Sequence, residues 1–157
     1  MTTPVRPETD RKIDDLKTAF PHPGSALLPA LHAIQEEKGY ISTESMEYVA
    51  GKIGVAPAFV AGVVSFYTMF QRKPIGRHHI QLCRTLPCAL RGAGAIRDHL
   101  VKRLGIGVGE TTKDGRFSLI EVECLGTCDT APICQINDEE HGRLDAARVD
   151  ALLERLR

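Results

Sequence analysis

The chain has no surplus of either charge: twenty Lys and Arg balance twenty Asp and Glu, and the pI is about 7. Nucleic acid and anionic membrane surfaces both select for a basic excess, so neither is expected as the main partner. Tryptophan is absent, and no basic run flanks an aromatic stretch. No segment reaches the roughly 18–20 consecutive apolar residues of a membrane helix. The longest apolar-rich run, Val55 to Phe70, is broken by Pro57, Gly62 and Ser65. The opening residues, Met1-Thr2-Thr3-Pro4-Val5-Arg6-Pro7-Glu8, lack the apolar centre of a secretory signal and introduce an acid early, unlike a transit peptide. The expectation is a soluble, intracellular protein with no direct membrane insertion.

What is present is enough apolar material for a core, 43% of 157 residues. That length suits one substantial domain, or a small one with a helical appendage. Five cysteines stand out. In a reducing compartment paired Cys spacings point to metal or redox chemistry before disulfides, and an odd count leaves one thiol outside any even framework.

Apolar periodicity divides the chain near Arg72 to Arg77. Before it, Ile13, Leu16 and Phe20 share a face of a short helix over Asp10 to Phe20. Leu27, Leu31 and Ile34 do so over Ser25 to Lys38, which Gly39 stops. Ser42 is a fitting N-cap for a helix with Met46, Val49, Ala50 and Ile53 on one face, and Pro57 suits the first turn of another with Val60, Val63, Val64 and Tyr67 inward. This half reads as a helical bundle. After it, His78 to Cys83 alternates like a strand, Leu90 to Leu104 returns to helical spacing, and Gly105 closes that helix. Asp114-Gly115 marks a turn before a strand through Phe117, Leu119, Glu121 and Glu123. Ile133 to Ile136 predicts another strand, Asp138 to His141 a turn with a short strand after it, and Asp145 to Arg157 a closing helix. The order β-α-β-β-α, with room for one more short strand within 107–114, predicts a small sheet with helices packed on it, hence α+β overall.

Cys83 and Cys88 are spaced C-x4-C, Cys124 and Cys128 C-x3-C, and 35 residues separate the pairs. Each pair sits where a strand gives way to a loop, so adjacent strand ends would bring four sulfurs to one edge of the sheet. A [2Fe–2S] cluster needs four thiolates converging from two directions on rigid supports. Loop N–H groups in Arg84-Thr85-Leu86-Pro87 and Leu125-Gly126-Thr127, and the positive end of the 89–104 helix, would stabilise its negative charge, with Arg84 and Arg91 helping from outside. Glu121 and Glu123 oppose that charge if they face the site, and not if alternation turns them to solvent. A structural zinc site also takes four Cys, although zinc knuckles favour two-residue gaps, and so stays open as a scaffold reading. C-x-x-C is missing, which removes a thioredoxin-type dithiol, and the C-x4-C-x2-C of plant-type ferredoxins is missing too. Cys134, within Ile133-Cys134-Gln135-Ile136, reads as a strand residue and not a fifth ligand. Gly105-Ile106-Gly107-Val108-Gly109 is not G-x-G-x-x-G and follows a helix, so no dinucleotide site is expected there. His78 and His79 read as a solvated strand start, not as Rieske-type ligands, and His99 as a surface residue. Phe66, Tyr67 and Phe70 serve either the core or a partner contact.

At these residues the sequence closely resembles the small [2Fe–2S] subunits of NADH:quinone oxidoreductase, respiratory complex I. The segments that carry the likeness are Gly62 to Phe70, Cys83 to Cys88 with Leu90-Arg91-Gly92, Gly109 to Thr112 with Asp114-Gly115, and Cys124 to Cys128 through Ala131-Pro132 to Asn137-Asp138. The resemblance implies a helical bundle over residues 1–73 and a thioredoxin-like [2Fe–2S] ferredoxin domain over 74–157. It implies Cys83, Cys88, Cys124 and Cys128 as cluster ligands, and a larger partner subunit that holds FMN and NADH beside the cluster. Other peripheral-arm subunits and a cytoplasmic place at the inner membrane follow from the same likeness. NAD-linked hydrogenases and formate dehydrogenases have subunits with the same motif, so it does not choose among parent complexes. Cys134 departs from the apolar residue usual at its position.

Overall fold

Start and stop signals delimit four helices in the first half of the chain. In the computed structural model, which describes residues 5–156, these are α1 (Pro7–Ala19), α2 (Leu27–Lys38), α3 (Thr43–Ile53) and α4 (Pro57–Phe66). Met1 to Pro4, part of the opening segment, and Arg157, the expected end of the last helix, lie outside the described residues. Pro7 and Pro57 occupy first turns, where a missing N–H costs nothing. Pro7 thereby starts α1 ahead of the expected Asp10. The Ser42 hydroxyl accepts from the Ser45 N–H at 3.2 Å, and Gly39 and Gly54 end α2 and α3 in the left-handed region at φ 78° and 82°. Ile13, Leu31, Ile34, Ile41, Val49, Val60 and Val64 form the fully buried centre of this unit. Lys52 ties α3 to α1, 2.6 Å from Asp10 and 2.7 Å from Asp14, and the Tyr48 hydroxyl donates to Asp10. The aromatic run divides: Phe70 is buried, Tyr67 packs partly against the core, and Phe66 is 77% exposed beside Phe59 on an open apolar groove of about 330 Å³.

A second compact unit begins at Ile75. Its strands are β1 (His78–Cys83), β2 (Glu110–Thr111), β3 (Phe117–Val122), β4 (Cys134–Ile136) and β5 (Glu139–His141); its helices are α5 (Leu86–Leu90), α6 (Ala93–Leu104) and α7 (Ala146–Arg155). The sheet order is β2-β3-β1-β4-β5, with β1 parallel to β3 and antiparallel to β4. Ile80, Leu82, Phe117, Leu119 and Ile136 bury one face of the sheet against Ile96 and Leu100 of α6 and Val149 and Leu153 of α7. Among the described residues no single helix is long and apolar enough to cross a membrane.

Four expectations change. The helix foreseen over 90–104 is two: Gly92, at φ 92°, turns the chain between α5 and α6, which places Cys88 inside α5. The turn foreseen at Asp138 to His141 lies earlier, at Asn137-Asp138, where Asn137 takes φ 54°, and residues 139–141 form β5. His79 is not solvated but 4% exposed, because β1 lies inside the sheet. Its Nδ1 lies 2.7 Å from the Ser118 hydroxyl, its Nε2 is buried without a hydrogen-bond partner, and burial lowers its pKa. His99 is no free surface residue, since its Nε2 meets Asp150 of α7 at 2.8 Å beside Arg103, also at 2.8 Å.

Candidate metal centre

Parallel pairing of β1 with β3 ends at the register pair Cys83 and Val122, so the two cysteine loops leave the sheet side by side. Cys83 is the last residue of β1, Cys88 is the third residue of α5, and Cys124 and Cys128 flank the loop after β3. Cys83 and Cys88 are buried in one small apolar cluster; Cys124 and Cys128 are exposed, their sulfurs 3.7 Å apart. Leu125, next to Cys124 in the second loop, packs against the apolar cluster that holds Cys83 and Cys88, which puts the four thiols in one neighbourhood. They gather as two pairs: among the described residues no three Cys, His, Asp or Glu side chains converge as one ion's shell.

Backbone donors surround these sulfurs. The Gly126 N–H donates to Cys124 Sγ at 3.3 Å, with Gly126 in the left-handed region at φ 92°. N–H groups of Thr85 and Leu125 reach Cys83, and that of Ile133 reaches Cys88. Burial works against a Cys83 thiolate, but the Thr85 hydroxyl at 3.3 Å, these N–H groups and the Cys88 thiol outweigh it and lower its pKa. Burial and the bond to Cys83 push the Cys88 thiol up. Four thiols, three of them under N–H donors, suit a group that carries negative charge on sulfur, and so fit a thiolate-held cluster.

The loop donors are legible in the small, turn-prone residues of the second loop. Ile133 is not, because a backbone N–H has no residue signature. Glu121 and Glu123, at the end of β3 and just beyond it, are neither simply solvent-facing nor aimed at the sulfurs. Glu123 accepts from Arg84 Nη2 at 2.6 Å, and Glu121 lies 3.9 Å from Arg97. Arg84 is therefore engaged with a carboxylate next to the site. Cys134 packs with Leu82 and Val149 on the helix-covered face, whereas Ile133 packs with Cys83 and Cys88. Alternation along β4 thus turns Cys134 away from the four thiols.

The profile of the thioredoxin-like [2Fe–2S] ferredoxins matches residues 13–157. The chain belongs to that family. The ferredoxin's cofactor is accordingly a [2Fe–2S] cluster. It is 47% identical over 146 residues to the E 2 subunit of NADH-quinone oxidoreductase from Rhizobium meliloti, covering 93% of this chain and 87% of that one. It is 46% identical over 154 residues to NADH-quinone oxidoreductase subunit 2 of Thermus thermophilus, covering 94% and 85%. Among solved structures, an NAD+-reducing [NiFe]-hydrogenase in the air-oxidised state superposes with a TM-score of 0.71 at 31% identity. That match covers 83% of this ferredoxin but only 22% of the hydrogenase chain.

Proposed function

We propose that this ferredoxin is the electron-transfer subunit of the NADH-oxidising part of an NADH:quinone oxidoreductase, with Cys83, Cys88, Cys124 and Cys128 holding its [2Fe–2S] cluster. The observation that carries the ligand assignment is the pairing of the thiols, two and two, at neighbouring strand ends under N–H donors. A single tetrahedral zinc needs all four sulfurs about 2.3 Å from one point, which suits this arrangement less well. The bound cluster supplies a one-electron site. The protein's part is to fix the ligands, to donate hydrogen bonds to sulfur and to shield one pair of ligands from water. Residues 1–73 and 74–157 serve as its two domains. A larger subunit supplies the FMN and the NADH site, and the assembly forms a peripheral arm at the cytoplasmic side of the inner membrane. High identity to oxidoreductase subunits over nearly the whole chain supports this parent complex over a hydrogenase.

Anaerobic purification from the native source tests the reading. The expected product is reddish-brown, contains about two iron and two acid-labile sulfide per chain, gives an EPR signal on reduction and co-purifies with a flavoprotein. A colourless chain carrying stoichiometric zinc would overturn it.

A further inference from the structure

We infer that Arg84 and Glu123 form a positioning strap that fixes the two ligand loops and cancels charge beside the cluster; the inference rests on the ligand assignment above. Arg84 directly follows Cys83, and Glu123 directly precedes Cys124, so each partner is covalently next to a ligand. They face each other one step beyond the last register pair of the β1–β3 ladder. Nε and Nη2 of Arg84 donate to the same Glu123 oxygen at 3.0 and 2.6 Å, and the Arg84 N–H donates to the Val122 carbonyl at 3.0 Å. The loops therefore diverge from a point held by both backbone and side chain.

Stability alone is a poor account of this pair. Its side chains are 58% and 70% exposed, and exposed ion pairs contribute little to folding. Charge next to a redox centre acts differently, since reduction adds one negative charge to the cluster. A lone carboxylate at position 123 would oppose reduction, a lone guanidinium at 84 would favour it, and the pair leaves little net field. Glu121, two residues earlier, has no such partner of its own among the described residues: Arg97 comes within 3.9 Å of it but binds Asp98 at 2.8 Å, so the Arg84–Glu123 pair is the close one at this strand end.

The test uses the full cluster-loaded chain, reduced stepwise with dithionite and followed by EPR, in Glu123→Gln, Arg84→Gln, the double variant and Arg84→Lys. Glu123→Gln is expected to raise the midpoint potential and Arg84→Gln to lower it. Each shifts the reduced-to-oxidised ratio at fixed potential severalfold, up to about tenfold, which is ~59 mV for one electron. The double variant returns close to wild type, and Arg84→Lys stays there. Coincident potentials in all variants, with the cluster equally retained, would overturn the inference, as would shifts of the two single variants in the same direction. Failure of the ligand assignment is seen separately, as a wild-type chain without iron and sulfide.

Discussion

A thiol count on the loaded chain separates the four proposed ligands from Cys134. Cys124 and Cys128 are exposed, so without a metal an alkylating reagent has open access to both sulfurs. Cys134 is 3% exposed, and burial pushes its pKa up to about 12. Only the thiolate reacts, and a raised pKa keeps the proton on sulfur. At about pH 7.5 such a group is ~3 × 10⁻⁵ ionised, against ~0.1 for an unperturbed cysteine of pKa near 8.5. Ionisation alone therefore slows reaction of the buried Cys134 roughly three thousandfold, and reaction by local opening is limited instead by the free energy of opening. Iodoacetamide added anaerobically, with peptide mass spectrometry at timed intervals, reads each site. The loaded chain is expected to take no label within minutes; after chelation and denaturation, all five cysteines should label. Any slow label on native Cys134 should grow about tenfold per pH unit, because its thiolate fraction does. Prompt label on Cys83, Cys88, Cys124 or Cys128 in the loaded chain would refute the ligand set. Prompt label on Cys134 would refute its burial.

Three further outcomes concern the scaffold. A Cβ on Gly76 would stand 2.5 Å from the Phe117 carbonyl carbon and 2.7 Å from the Ser118 nitrogen, backbone atoms that cannot rotate away, so Gly76→Ala should cost about 1–3 kcal/mol in denaturant melts. An unchanged melt would mean that this close approach is absent. Asp145 accepts from the Arg148 N–H at 2.7 Å and caps α7, so Asp145→Ala should lose about 0.5–2 kcal/mol, whereas Asp145→Ser should retain most of it. His79 has a lowered pKa, so below its ordinary value of 6.5 the unfolded chain takes up a proton that the folded chain refuses. Stability should fall as pH drops below that value toward the folded pKa, and less steeply in His79→Leu; parallel urea melts at about pH 7.5 and 5.5 would contradict this if both chains lose the same amount.

Signals in the sequence are legible wherever they act locally. Ser42, Gly39, Gly54 and Pro57 each act within one turn of their own position, and α2, α3 and α4 begin or end there. Gly92 is visible too, but the apolar spacing continues from Leu90 into Ala93, and one left-handed residue does not interrupt a periodicity. His79 is misplaced by sequence alone because its burial depends on β1 lying between β3 and β4, a fact of sheet order that its neighbours in sequence do not encode. The cysteines stand out for the opposite reason: the proposed thiolate ligation requires a particular residue type, so spacing and identity speak together. Their backbone donors, and the partnering of Arg84 with Glu123, depend on strand register and carry no such mark.

The parallel β1–β3 ladder has a consequence for how the protein is made. It joins positions 39 residues apart, and a long closure of that kind loses chain entropy before any contact offsets it. Each cysteine pair, by contrast, spans only four or five positions and is complete as soon as its own loop has been synthesised. A nascent chain that ends before β3 offers one half of the centre, and a full-length chain that has not yet paired β1 with β3 offers two halves apart. With the four thiols as the proposed ligands, cluster loading samples the outcome of folding: only molecules with the crossover closed can take the whole group, and the metal content of a preparation sets a lower bound on its correctly folded fraction.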